Sequence, residues 1–117
     1  MKQLNFSGFC SEEFPQRKAL DRGIENLTTV ELISLIIGAG TEKSVEQARQ
    51  IYAVMNERVS EIAKSRVEDL QAVQGIGNAK AVAIKAAIEL GKRCYSEKTD
   101  EISYLIEEAS KSQNKQN

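Results

Sequence analysis

The sequence predicts an all-α fold, a single domain of five to six short helices, and three observations carry the prediction. Apolar residues recur at intervals of three and four over 28–37 (TTVELISLII), 44–55 (SVEQARQIYAVM), 66–73 (RVEDLQAV) and 78–93 (NAKAVAIKAAIELGKR), the spacing that lines one face of a helix. No stretch alternates with the period of two that a half-buried strand needs. At 117 residues the chain can bury one modest core and not two ordinary ones.

Each element has a local signal. Residues 1–11 read as an N-terminal arm and 12–95 as the folded domain. Pro15, the only proline, suits the first turn of a short helix, where its missing N–H costs nothing, and Gly23 suits the position just past the end of that helix at Arg22. Thr28 with Glu31, Ser44 with Gln47 and Ser65 with Glu68 each fit S/T-x-x-E/Q, in which two side chains reciprocally cap the opening turn. Ser60–Lys64 reads as a further helical turn.

Beyond Cys94 the composition becomes polar. Residues 96–117 are expected to form a tail, with a short helix over 100–109 whose face carries Ile102, Leu105, Ile106 and Ala109. Ser110–Asn117 contains no aromatic or branched apolar residue and is expected to be disordered, because it buries too little apolar surface to offset its ordering entropy.

Composition also excludes several functions. Sixteen Lys and Arg against 17 Asp and Glu give a net charge of −1, so no global field draws the chain to polyanions, and any such binding has to be local. The N-terminus lacks the apolar run of a signal peptide, and nowhere do eighteen apolar residues follow one another, which points to the cytoplasm and away from a membrane. Cys10 and Cys94 lie far apart and the chain has no His, so the usual zinc sites are missing and two free thiols are the simplest reading. No cofactor, metal or small-molecule substrate is expected.

The chain resembles itself at an offset of 37. Val30 and Glu31 fall on Val67 and Glu68, Gly38 on Gly75, Gly40 on Gly77, Lys43 on Lys80, Val45 on Val82 and Ile51 on Ile88. Each copy reads helix, G-x-G, helix. In the second copy, V73-Q-G-I-G-N-A-K80, two glycines let the backbone reverse while Ile76 packs inward with Leu70, Val73, Ile84 and Ile88. The N–H groups of Gly75, Gly77, Ala79 and Lys80 then converge at the positive end of a helix dipole, where a phosphate fits.

Lys80 sits in a first turn without an acid, where a cation opposes the dipole at a cost of roughly 0.3–1 kcal/mol unless an anion arrives. The plain alternative is a tight turn whose lysine points into water. In the first copy Glu42 stands beside the corresponding turn and Ala39 replaces the bulkier Ile, so Gly38, Gly40, Thr41 and Lys43 form the weaker candidate. Neither turn completes G-x-G-x-x-G after a strand or the phosphate-binding loop of nucleotide hydrolases.

The pattern L70-x-x-V73-x-G-I-G-x-x-x-A81-x-x-I84 resembles the helix-hairpin-helix motif, and two such units resemble the double helix-hairpin-helix, RuvA-like bundle of DNA repair and recombination proteins. P15-Q-R-K-A-L20, G23-I-E-N-L-T28, E31-L-I-S-L-I-I-G-A-G-T41, V73-Q-G-I-G77 and E89-L-G-K-R93 together resemble the N-terminal domain of RadC-like proteins over about residues 12–94. The resemblance implies an association with DNA repair. In typical members a metalloprotease-like domain follows, with a zinc motif of several His and an Asp. A chain without His cannot supply that motif, so the expectation is a truncated form or short paralogue lacking that domain.

Two readings of function follow. In the first, the domain binds DNA without sequence preference through the sugar-phosphate backbone: Gly75, Ile76, Gly77, Asn78, Ala79, Lys80 and Lys85 form the contact, with DNA and other repair proteins as partners. Residues 75–94 hold four basic groups against Glu89 alone, whereas the tail from Ser96 holds five acids and three bases. In the second, the domain keeps the fold as a protein-interaction module without DNA. Neither reading is an enzyme: Asp100 is the only Asp after the second turn, and no paired-carboxylate pattern supports acid–base work.

Overall fold

The computed structural model describes residues 14–115, and the side chains of 14–111. The expected arm, 1–11, lies outside the described residues. Six α-helices follow in order: α1 (Pro15–Arg22), α2 (Thr29–Gly38), α3 (Glu42–Val54), α4 (Val59–Lys64), α5 (Val67–Leu70) and α6 (Asn78–Lys115), with a 3-10 turn at Ile24–Asn26 after α1. No strand occurs among the described residues, so the all-α expectation holds.

The chain divides into two compact units, residues 1–87 and 88–117. In the first, Leu27, Ile33, Ile37, Val45, Ala48, Ile51, Met55, Ile62, Leu70, Val73, Ile76, Ala81 and Ile84 are buried. Burial of this apolar set contributes about 1.5–3 kcal/mol for each of its larger side chains. Lys18 of α1 and Glu31 of α2 form an ion pair at 3.2 Å, and Lys18 donates to both carboxylate oxygens. Of the small core expected around the second turn, Ile88 alone is not among the buried residues.

Some predicted boundaries hold. Pro15 opens α1, and Gly23, at φ 94°, donates its N–H to Ala19 at the end of that helix. Thr28 and Glu31 cap each other as expected: Thr28 Oγ1 accepts from the Glu31 N–H and Glu31 Oε1 from the Thr28 N–H.

Two other boundaries are corrected. α3 starts at Glu42, and Thr41 rather than Ser44 is its cap, accepting from the Ser44 N–H. The hydroxyl of Ser44 instead donates to the Thr41 carbonyl, and Gln47 turns into the interior. α5 starts at Val67 after Arg66, whose N–H is bound by Asp69. Ser65 lies one residue before that cap position and ends α4 instead, its hydroxyl donating to the Ile62 carbonyl.

The C-terminal region differs most from expectation. α6 passes 96 without a break and reaches Lys115, in place of a polar segment, a short helix over 100–109 and disorder over 110–115; residues 116–117 lie outside the described residues. Polarity does not end a helix: beyond Pro15 the chain has no proline to stop it, and a single internal Gly91 costs only about 1 kcal/mol.

Candidate nucleic-acid interface

The two glycine turns are not built alike. α2 ends at Gly38, after which Ala39 (φ 60°) and Gly40 (φ 74°) are left-handed. The N–H groups of both Ala39 and Gly40 donate to the Ser34 carbonyl, and that of Thr41 to Gly38. A side chain at Gly40 would press on Pro15 and Leu35, both 3.1 Å from its Cβ position. Thr41 then caps α3, and Glu42 adds an acid to its first turn. The donors of this turn at 39, 40, 41 and 44 are therefore taken up by the protein itself, while Lys43 is exposed.

In the second turn only Gly75 is left-handed, at φ 88°. Ile76 is buried, as expected, and its N–H donates to Val73. The Gly77 carbonyl accepts the Ala81 N–H, which makes Gly77 the cap residue of α6. Glycine has no side chain to close that helix end, and the first turn holds no acid. Among the described residues no acceptor meets the N–H groups of Gly75, Gly77, Asn78, Ala79 or Lys80. Gly77, Asn78 and Ala79 are exposed, and apart from its neighbours in the chain nothing lies within 4 Å of a Cβ position at Gly77. The unsatisfied donors of a helix start thus face solvent with the dipole behind them.

The register of the repeat changes accordingly. The two second helices are capped by Thr41 and Gly77, one residue short of the offset of 37, and the two first helices by Thr28 and Arg66, one residue beyond it. At 37, buried Val45 falls on Val82, which is 53% exposed. The glycine identities average two registers because α5 ends at Leu70 and a turn of several residues intervenes before Gly75, whereas α2 runs straight into its turn.

The lysines have partners within the fold. Lys80 Nζ donates to Gln47 Oε1 at 2.9 Å. Lys85 Nζ donates to the carbonyls of Ile62 (3.1 Å) and Ala63 (2.7 Å), closing the end of α4. Asn78 Oδ1 accepts from Gln71 Nε2 at 2.6 Å. Gln47, Gln50, Gln74 and Gly75 line an open groove of 590 Å³ with Glu42, Lys43 and Glu46.

Gln47 is the residue that sequence reasoning missed, having been assigned to a cap. It is 6% exposed, and a Cβ at Gly75 would collide with its Nε2. The available signal was a glutamine flanked by Ser44, Ala48 and Ile51 on the apolar face of α3, where a polar group has to find a partner.

The family model for the UPF0758 N-terminal region matches residues 8–82, which include both turns. The chain belongs to the UPF0758 family. This is the RadC-like family that the motifs resemble. The UPF0758 protein of Syntrophomonas wolfei is 41% identical over 92 residues, covering 77% of this chain and 39% of the relative. That of Bacillus licheniformis is 35% identical over 94 residues, covering 80% and 42%. That of Listeria innocua is 43% identical over 82 residues, covering 69% and 37%. The chain spans about two fifths of the length of these UPF0758 relatives. No solved structure matches it. No helix among the described residues is long and apolar enough to cross a membrane.

Proposed function

We propose that this UPF0758 N-terminal domain is a non-enzymatic, cytoplasmic DNA-binding module that grips the sugar-phosphate backbone through a helix-hairpin-helix turn at 73–80 and serves DNA repair or recombination with other repair proteins. The observation that carries the reading is the open start of α6: among the described residues the N–H groups of Gly77, Asn78, Ala79 and Lys80, and of Gly75 before them, lack an acceptor, with no capping side chain and no acid, whereas in the first turn Thr41 caps the Ser44 N–H and Glu42 adds an acid. A phosphate oxygen supplies the missing acceptors and the negative charge that the dipole favours. On this reading Lys80 gives up its bond to the buried Gln47 amide for the phosphate, a cost of about 1–3 kcal/mol that the phosphate contact has to exceed. Lys85 stays on α4 and contributes charge at a distance.

The alternative is a protein-interaction module. It is favoured by the engagement of both lysines within the fold and by Glu42 and Glu46 in the neighbouring groove. Titration of labelled duplex and single-stranded DNA at low and moderate salt separates the two. The DNA reading requires binding that weakens as salt rises, with little sequence preference, and that Lys80→Glu reduces. Salt-independent or absent binding supports the alternative.

A further inference from the structure

We propose, resting on the phosphate reading of the α6 start, that the groove between α3 and the second turn receives the Watson–Crick edge of an unpaired guanine. The domain then prefers DNA with unpaired nucleotides to a fully paired duplex. The observation behind this is Gln47, which is 6% exposed. Lys80 fixes the orientation of its amide in the free protein: an ammonium only donates, so Oε1 faces Nζ at 2.9 Å. The NH2 group is thereby turned to Gly75, where Nε2 occupies the space of a Cβ. Among the described residues Nε2 has no acceptor, and no fully buried side-chain polar atom is left without a partner. This NH2 group is therefore the part of Gln47 that reaches the groove it lines. The Gly75 N–H lacks an acceptor as well. Two neighbouring groups of the groove wall, a side-chain amide and a backbone N–H, thus lack what a carbonyl oxygen supplies.

The same groove carries the opposite need. Glu42, which opens α3, lines it with a carboxylate that has no ion pair or hydrogen bond among the described residues, whereas Glu46 is held by Arg49 at 2.6 Å. With Lys43 also on the groove, the charges balance, and no positive field draws a second phosphate there. A neutral group with an acceptor beside donors fits instead. The Watson–Crick edge of guanine presents O6 next to N1–H and N2–H: O6 accepts from Gln47 Nε2 and the Gly75 N–H, and the Glu42 carboxylate accepts from N1–H and N2–H. Thymine and cytosine lack the adjacent pair of donors that a carboxylate takes, and adenine has no carbonyl. The 590 Å³ of the groove lies within the roughly 300–1,000 Å³ of small-ligand sites. Gly75 belongs to both the groove and the turn, so a strand whose phosphate sits on α6 brings a base alongside. In a duplex this edge is already paired, and the phosphate grip stays indifferent to sequence. A guanine carbonyl on Nε2 also keeps the amide in place once Lys80 turns to the phosphate.

Fluorescence anisotropy of the full chain tests the base contact. The probes are single strands of about ten nucleotides that alternate thymine with guanine, hypoxanthine or adenine, and a duplex of the same length. Guanine strands are expected to bind on the order of tenfold tighter than adenine strands and tighter than the duplex. Hypoxanthine, which keeps O6 and N1–H without the 2-amino group, should fall between guanine and adenine. Glu42→Gln separates base reading from charge: losing one negative charge should raise duplex affinity slightly, while most of the guanine preference disappears. Strands that bind alike, or a preference undiminished in Glu42→Gln, overturn the base contact, and salt-dependent duplex binding then leaves the phosphate reading standing. Absence of binding to any of these DNAs removes both.

Discussion

Gln47 and Lys80 tie the two glycine turns together. Gln47 Oε1 accepts from Lys80 Nζ at 2.9 Å, while its Nε2 fills the space that a Cβ would need at Gly75. One buried amide thereby sets both the position of the lysine and the room available to the turn. Gln47→Ala is expected to lower stability by about 1–3 kcal/mol, the cost of removing a buried hydrogen-bonding side chain. In urea unfolding, a double-mutant cycle with Lys80→Met should give a coupling of about 0.5–1.5 kcal/mol. Strict additivity contradicts the tie.

The two glycines of the second turn should respond differently to alanine. Gly75 is held at φ 88°, where an L-residue costs roughly 1–2 kcal/mol, and its new methyl displaces the Gln47 amide. Gly77 needs no positive φ and its Cβ position is open, so only the modest preference for glycine over alanine at a cap is lost, about 0.5–1 kcal/mol. Thermal melts should rank Gly75→Ala clearly below Gly77→Ala.

Lys85 acts within the fold. Its ammonium meets the Ile62 and Ala63 carbonyls at the end of the six-residue α4. Lys85→Met should cost about 0.5–1.5 kcal/mol through those carbonyls and reduce DNA affinity only as the loss of one distant charge. A large affinity loss at unchanged stability would place Lys85 on the nucleic acid instead.

Glu31 gives stability a pH dependence of known sign. Burial pushes its carboxyl up, but the Thr28 N–H and the Lys18 ammonium more than offset this, so its pKa lies below the ordinary value. The folded state therefore favours the carboxylate, and its contribution is present above the unfolded glutamate pKa of about 4.3 and fades as pH falls through the lower folded value. Urea unfolding should show wild type more stable than Glu31→Gln at neutral pH, with the gap closing below about pH 4. A gap that widens in acid contradicts the assignment.

What was legible in the sequence was local. Thr28 with Glu31, Pro15 and Gly23 act within one or two turns of chain, so their roles follow from spacing alone. Ser44 and Ser65 carried the same signature, but the helices begin elsewhere because Thr41 and Glu42 already supply a cap and a first-turn acid, and because Ser65 is the residue that ends α4. Ile76 could be read as an anchor from its place between two glycines. The partners of Lys80 and Lys85 could not be read: they lie 33 and 22–23 residues away and depend on how the helices pack. The polar sequence after Cys94 suggested a break, yet composition reports burial, and α6 continues past Cys94 with every described side chain from Glu89 to Lys111 exposed.

The central claim is that the open start of α6 holds a phosphate, and Gly77→Asp tests it most directly. An aspartate at this cap position accepts from the free Lys80 N–H and places a negative charge on the dipole, so the domain should become more stable by a few tenths of a kcal/mol up to about 1 kcal/mol. The same carboxylate occupies the phosphate position and repels the backbone, so DNA affinity at low salt should fall at least tenfold and its salt dependence should flatten. Stability up with affinity down is the predicted result; a stabilised domain that binds DNA as wild type does would contradict the account.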